Sequence, residues 1–172
     1  MNIKRVLVSS EALQETVCRL AERINAAYAD TDTITALIVL EGARCFAENL
    51  LSNIDVPFEQ EYIKISTYCG THSGCTTVID FDDKLHEKLR GKDILVIDDI
   101  YDTGRTLAAL LHCLEDCLPR SIKTCVLLEK EIQHCEKIAI DFLGAKVPNV
   151  FVVGYGMDFN GQFRELPFIA EF

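Results

Sequence analysis

The sequence is short of basic residues. Its 172 residues include 27 Asp and Glu but only 17 Lys and Arg, which gives a formal net charge of −10 at pH 7. Proteins that bind nucleic acid generally need a basic surface, so this balance argues against general nucleic-acid binding. It does not exclude an anionic small molecule, because a local site or a bound Mg²⁺ can reverse the local field.

Long apolar runs and a secretory signal are also missing. No apolar run approaches the length of about 20 residues that a membrane-spanning helix needs, and Met1–Arg5 lacks the pattern of a signal peptide. Eight cysteines are present, but none forms a Cys-x-x-Cys pair or has zinc-like spacing with histidine. We therefore expect free thiols in a reducing cytoplasm, no membrane contact, and one domain over residues 1–172 without repeats or linkers.

The most informative stretch is Ile94–Leu107. It begins as a buried strand and stops at two adjacent carboxylates, Asp98 and Asp99. A turn of small and polar residues follows. A helical pattern of leucines then runs until Pro119 ends it; its members are Leu107, Leu110, Leu111, Leu114 and Leu118. The order is strand, acidic edge, loop and helix.

This order suits a phosphorylated sugar. In α/β sheets, ligands bind at the carboxyl ends of parallel strands, and the first turn of the following helix offers free N–H groups to a phosphate. Gly104 permits close approach, and Thr103 and Thr106 add hydroxyl donors. The carboxylates would accept hydrogen bonds from sugar hydroxyls or hold Mg²⁺. For any single Asp, a helix cap is the simpler interpretation; three acids in this order with Thr-Gly-x-Thr favour the ligand site.

The stretch resembles the phosphoribosyl-pyrophosphate (PRPP) motif of type I phosphoribosyltransferases, and it is most similar to their 6-oxopurine branch, the hypoxanthine-guanine enzymes. The resemblance implies an α/β fold with a twisted, mostly parallel sheet flanked by helices. A small hood would come from the chain ends, about 1–9 and 155–172. It also implies that Asp98 and Asp99 bind the ribose hydroxyls, that Asp102 acts in proton transfer at the base N7, and that the 5′-phosphate is cradled by Asp102, Thr103, Gly104, Arg105 and Thr106.

A second strand-loop-helix junction lies earlier in the chain. The strand Ile34–Leu40 is followed by Glu41-Gly42-Ala43 and a helix. The resemblance implies that Glu41 and Gly42 lie against pyrophosphate, in a loop that often contains a non-proline cis peptide. The family usually has a basic residue where this chain has Glu41. An exposed turn glutamate without a role is an equally good interpretation of that position.

A long polar loop follows the strand Tyr62–Ser66. Residues 67–76 are small, polar and punctuated by glycine, which is typical of a lid or binding loop. Ser66, Thr67 and Tyr68 resemble the opening of the family's mobile lid, expected here over about 67–77, which would shield a cationic sugar from water. A hairpin tip is the alternative. His72 is assigned no role.

The C-terminal third resembles the family's base-binding tail. Lys130 follows the strand Ile122–Leu128, and the segment from Phe151 to Asp158 matches a family signature. By that resemblance Lys130 donates to the purine O6, Phe151 stacks on the base, and the Val152 backbone reads its edge. Asp158 would lie by the base and a second Mg²⁺, so that the expected metal residues are Asp98, Asp99 and Asp158; Arg164 would meet the pyrophosphate.

The predicted reaction is transfer of 5-phosphoribosyl from PRPP to N9 of hypoxanthine or guanine, with Mg²⁺, by a cytoplasmic homodimer or homotetramer. Two alternatives stay open. One is a PRPP- or nucleotide-sensing regulator that binds RNA, which the pI of about 4.8 argues against. The other is an enzyme of the same mechanism that prefers xanthine.

Overall fold

The structure is a computed structural model that describes residues 3–69 and 75–172, with the backbone alone described at 67–69 and 75–76. Its centre is a six-stranded sheet in the order β4-β3-β2-β5-β6-β7. All neighbours are parallel except β3 and β4. The strands are β2 (Ile34–Leu40), β3 (Phe58–Cys69), β4 (Cys75–Ile79), β5 (Asp93–Tyr101), β6 (Ser121–Lys130) and β7 (Phe142–Val147).

Four helices of the described part of the chain cover the two faces of this sheet. They are α1 (Ser10–Ala27), α2 (Arg44–Leu51), α3 (Asp83–Leu89) and α4 (Arg105–Asp116). Helices α1 and α2 pack on one face and α3 and α4 on the other. Strand β2 supplies both cores, since successive side chains point to opposite faces: Ile38 joins the first core and Leu37 the second. The near-continuous apolar runs of the central strands thus reflect burial on both sides.

A second, three-stranded antiparallel sheet joins the two ends of the chain. Its order is β1 (Arg5–Val8), β9 (Ile169–Glu171) and β8 (Val152–Val153). Two of these strands fall in the segments from which a hood is expected. That the segments form a hood over a bound base stays a prediction.

Helix α4 is shorter than the leucine pattern indicates. It ends at Asp116, and Leu118, expected on its apolar stripe, has a φ of 52° and is 64% exposed. The reason is Pro119, because a proline disfavours helical geometry in the residue before it. Strand β8 is also shorter than the apolar run Val150–Val153, and β7 and β9 were not predicted. Within residues 3–69 and 75–172, no helix is both long and apolar enough to cross a membrane.

Candidate active site

A cavity of about 410 Å³ opens where β2, β5 and β6 end. It is lined by residues from five separate parts of the chain, most of them predicted as site residues from the sequence. Those predicted residues are Glu41, Gly42, Asp98, Asp99, Asp102, Thr103, Gly104, Thr106, Lys130, Phe151, Val152, Asp158 and Arg164. Their individual roles remain predictions, but the cavity brings them together.

Four predicted residues stand apart from this group. Arg105 begins α4 with an exposed side chain that does not line the cavity, and neither does the half-buried Ser66. Thr67 and Tyr68 have described backbone, which belongs to β3, but their side chains lie outside the described residues. The centre of the expected lid, residues 70–74 with His72, also lies outside them. Strand β3 continues to Cys69 and β4 begins at Cys75, so both ends of the segment 67–77, which was expected to be a loop, belong to paired strands.

Asp98 and Asp99 form an acidic pair near the end of β5, which continues past them to Tyr101 instead of stopping there as the apolar run indicated. The Asp99 N–H donates to Asp98 Oδ1 at 3.0 Å. Burial, and then the neighbouring Asp99 carboxylate, raise the pKa of Asp98 well above its ordinary value. Burial also raises the pKa of Asp99, although hydrogen bonds and the Arg164 charge offset part of that rise. The oxygens of both side chains can accept hydrogen bonds from hydroxyls, and a cation bound beside them would relieve the repulsion between the two carboxylates.

Lys130 and Asp102 meet inside the cavity. Lys130 Nζ, at the end of β6, lies 2.6 Å from Asp102 Oδ2 in the loop after β5. The lysine side chain is only 12% exposed, whereas that of Asp102 is 43% exposed. A cationic donor and an anionic acceptor thus lie side by side, facing the same space.

The loop before α4 suits an anion. Gly104 is the N-cap of α4, has a φ of 85°, and offers no capping side chain to the helix. A Cβ there would lie 2.4 Å from the Glu136 carbonyl oxygen, so glycine is required for both space and conformation. The N–H groups of the first helical turn are therefore open to a ligand beside Thr103 and Thr106.

The loop after β2 is packed tightly against the acidic pair. Its Leu40–Glu41 peptide is cis, as the resemblance suggested. A Cβ on Gly42 would lie 1.8 Å from Asp99 Oδ2. The Glu41 carboxylate instead pairs with Arg44 at 3.3 Å, and both side chains are about half exposed. The loop therefore presents mainly backbone to the cavity near Asp99.

The tail supplies an aromatic surface and an ion pair. Phe151 lines the cavity, is 50% exposed, and packs edge-on against Phe159 with ring centroids 5.7 Å apart. Asp158 Oδ1 lies 2.6 Å from an Arg164 nitrogen, and its other oxygen accepts from the Gly161 N–H. A flat ligand could stack on Phe151 because that ring has an uncovered part.

The donor set fits Mg²⁺ bound together with a phosphorylated ligand. Among residues 3–69 and 75–172, no cluster of three or more His, Cys, Asp or Glu is placed to hold a metal on its own. Mg²⁺, however, commonly uses one or two carboxylates and completes its shell with waters and substrate phosphates. Asp98 and Asp99 offer such carboxylates, whereas Asp158 is engaged by Arg164.

Sequence reasoning missed the residues behind the Asp102 loop. His134 contacts the Asp102 carbonyl, and its ring stacks on Tyr101 with centroids 4.1 Å apart. The Tyr101 hydroxyl donates to the Glu136 carbonyl. These residues lie in or contact the irregular segment 131–141, which has no helical or strand periodicity to mark them.

Comparisons with known proteins agree with this geometry. The family model for the phosphoribosyl transferase domain matches residues 7–160. The chain is 36% identical to the hypoxanthine-guanine-xanthine phosphoribosyltransferase of Tritrichomonas foetus, over 98% of this chain and 91% of that protein. It is 36% identical to the hypoxanthine-guanine phosphoribosyltransferase of Bacillus subtilis, over 98% and 93%. A crystal structure of a hypoxanthine phosphoribosyltransferase from Staphylococcus aureus superposes with a TM-score of 0.90 at 29% identity, over 98% of this chain and 91% of that one.

Proposed function

Because the chain belongs to the phosphoribosyl transferase family, we propose that it transfers the 5-phosphoribosyl group of PRPP to N9 of hypoxanthine or guanine, as a purine-salvage enzyme. The products are IMP or GMP and pyrophosphate. One observation carries the proposal: a single cavity holds both the anion-binding loop before α4 and the Lys130–Asp102 pair beside Phe151. The relatives named above support it.

The sugar-phosphate half of the ligand fits the β5–α4 junction. The 5′-phosphate binds the loop from Asp102 to Thr106, where Gly104 leaves the first-turn N–H groups open. Asp98 and Asp99 accept hydrogen bonds from the ribose hydroxyls. Arg164 and the Gly42 backbone face the pyrophosphate.

The base half fits the Lys130–Asp102 pair. In the tautomer that reacts at N9, a free 6-oxopurine presents an acceptor, O6, beside the imidazole proton on N7. Lys130 is a pure donor, so it favours a 6-oxo group over a 6-amino group, and Phe151 gives the ring a surface for stacking. Asp102 faces N7.

The site residues act by aligning the two reactants and by stabilising the charge that develops on the sugar. The bond from C1 of the ribose to the pyrophosphate oxygen breaks as the bond from C1 to N9 forms, and positive charge develops on the sugar. The base loses its imidazole proton, and Asp102 is the acceptor in that transfer. Holding both reactants in line and placing carboxylates near the sugar lower the barrier.

We propose Mg²⁺ as the cofactor. Asp98 and Asp99 would hold it, with Asp158 near a second ion. When bound, the metal neutralises charge on pyrophosphate as it leaves. Glu41 stands where the family usually has a basic residue and is paired with Arg44, so this position supplies no positive charge to the pyrophosphate and we expect PRPP binding to depend strongly on Mg²⁺.

We also propose a homodimer or homotetramer in the cytoplasm. A second cavity of about 470 Å³, lined in part by Leu13, Val17, Cys45 and Tyr155, shares Arg164 with the first. A second copy docked there would contact a site residue. The six cysteines described in full are free, which fits a reducing compartment. Analytical ultracentrifugation tests the oligomer.

The function is tested by incubating the pure protein with PRPP, Mg²⁺ and hypoxanthine, guanine, xanthine or adenine in separate reactions. We expect IMP and GMP and no AMP. Product from adenine alone, or from none of the four, would contradict the proposal. Product from xanthine would extend the substrate range. Salt-sensitive RNA binding without turnover would favour a regulator instead. No feature of the described residues supports that alternative.

A further inference from the structure

The irregular segment 131–141, between β6 and β7, packs against the back of the phosphate loop. It provides the side chain of His134, which is 12% exposed and has both ring nitrogens against oxygen atoms. His134 Nδ1 contacts the Asp102 carbonyl, and Nε2 lies 3.2 Å from Glu129 Oε1. The other oxygen of Glu129 pairs with Lys146 at 3.3 Å.

Both partners of His134 are acceptors. A backbone carbonyl has no proton to donate, and Glu129, already paired with a cation, is a carboxylate. Both contacts are hydrogen bonds when each ring nitrogen carries a proton. The ring is further held by stacking on Tyr101, whose hydroxyl donates to the Glu136 carbonyl and accepts from the Ile138 N–H at 3.1 Å.

The next carbonyl of the loop points the same way. The Thr103 carbonyl accepts from the Cys135 N–H at 3.0 Å and from the Glu136 N–H at 3.2 Å. Two successive loop carbonyls, those of Asp102 and Thr103, therefore face the segment 131–141.

The direction of these carbonyls sets the direction of the amide groups. In a trans peptide the C=O and the following N–H point to opposite sides. Among the described residues the cis peptide is Leu40–Glu41, so the bonds after Asp102 and Thr103 are trans. The N–H groups of Thr103 and Gly104 consequently point away from the segment, and both residues line the cavity.

We propose that His134 is a positioning residue for phosphate binding, which fixes the Asp102–Thr103 peptide so that the Thr103 N–H faces the cavity. It touches neither reactant. The Thr103 carbonyl is held by backbone N–H groups that substitutions other than proline leave in place, whereas the Asp102 carbonyl is held by this side chain. The inference rests on the proposed function, because the anion is the phosphate of PRPP or IMP.

Two substitutions separate the contacts of His134. The amide nitrogen of Asn is bonded to Cγ, as Nδ1 is in His, so His134→Asn keeps a donor for the Asp102 carbonyl. The amide nitrogen of Gln lies one carbon further out, nearer to the place of Nε2, so His134→Gln keeps the Glu129 contact and loses the carbonyl contact. We expect His134→Gln to raise the Kd for IMP and the KM for PRPP about 10-fold, and His134→Asn to change each less than about 3-fold.

Inosine, which lacks the phosphate, is the ligand control, and we expect its Kd to be the same for all three proteins. His112→Gln is the control substitution, since that histidine is 82% exposed on α4. Equal Kd values for the Asn and Gln variants, or a loss for inosine as large as that for IMP, would overturn the inference and indicate a merely structural residue. A wild-type protein that binds no IMP would refute the proposed function first, and the inference with it.

Discussion

Replacing Gly42 with alanine should damage the site through Asp99. The added Cβ would lie 1.8 Å from Asp99 Oδ2, about 1.6 Å closer than the 3.4 Å at which ordinary contact begins. Because the nearest atoms belong to a side chain, we expect the Asp99 carboxylate to rotate away. Losing its charged hydrogen bonds to the ribose, at roughly 1.5–3 kcal/mol, lowers kcat/KM for PRPP by about 10- to 10²-fold. Steady-state formation of IMP measures this loss.

The control is Gly91→Ala. Gly91 has a φ of 67°, and no atom lies within 4 Å of the place that a Cβ would take, so alanine there costs about 1 kcal/mol through backbone strain and leaves kcat/KM unchanged. A double variant then tests the cause. If the clash with Asp99 is the mechanism, adding Gly42→Ala to Asp99→Ala should lower activity no further. Full additivity, or wild-type kinetics for Gly42→Ala alone, would refute this reasoning.

Three further predictions concern substitutions of Asp102, Lys130 and Asp98. Asp102→Asn should lower kcat with hypoxanthine by about 10²–10⁴-fold, while IMP binding, measured by calorimetry, is retained. Unchanged turnover would show that Asp102 takes no part in the chemistry. Lys130→Gln, which breaks the ion pair of 2.6 Å, should lower kcat/KM for hypoxanthine by at least about 10²-fold and change the KM for PRPP little in the same assay. Burial raises the pKa of Asp98, so the folded chain keeps that proton to a higher pH than the unfolded chain, and stability falls as pH rises above the ordinary Asp value of about 3.9. Asp98→Asn should therefore stabilise the fold against urea by about 1–3 kcal/mol at pH 8 and by much less near pH 4, whereas Asp93→Asn, which loses an ion pair, should destabilise it.

The β5–α4 junction was well predicted because its signals are local. A buried apolar strand, a run of acids, a glycine and a leucine period follow one another within Ile94–Leu107, and the structure places a strand, a loop and a helix there. The side chain of Arg105 shows the limit of such reasoning. Its backbone begins α4, but the direction of its side chain, outward from the cavity, depends on helix geometry that the motif does not encode.

Other features depend on contacts between distant parts of the chain. Strand β7 pairs with β6 although Phe142–Val147 is only partly buried and includes a glycine, so neither alternation nor a continuous apolar run marked it. Strand β9 has three residues and is held between β8 and β1, the latter more than 160 residues away. His134 was missed for the same reason, because the Asp102 carbonyl that it contacts lies 32 residues earlier.

The most direct test of the central claim is a crystal structure of the protein with IMP bound. We expect the phosphate oxygens at about 3 Å from the backbone nitrogens of residues 103–106, the purine O6 at a similar distance from Lys130 Nζ, and the ring stacked on Phe151. Nucleotide bound elsewhere, for example in the second cavity beside Leu13 and Cys45, would contradict the claim. So would nucleotide bound in the reverse direction, with its base at the phosphate loop.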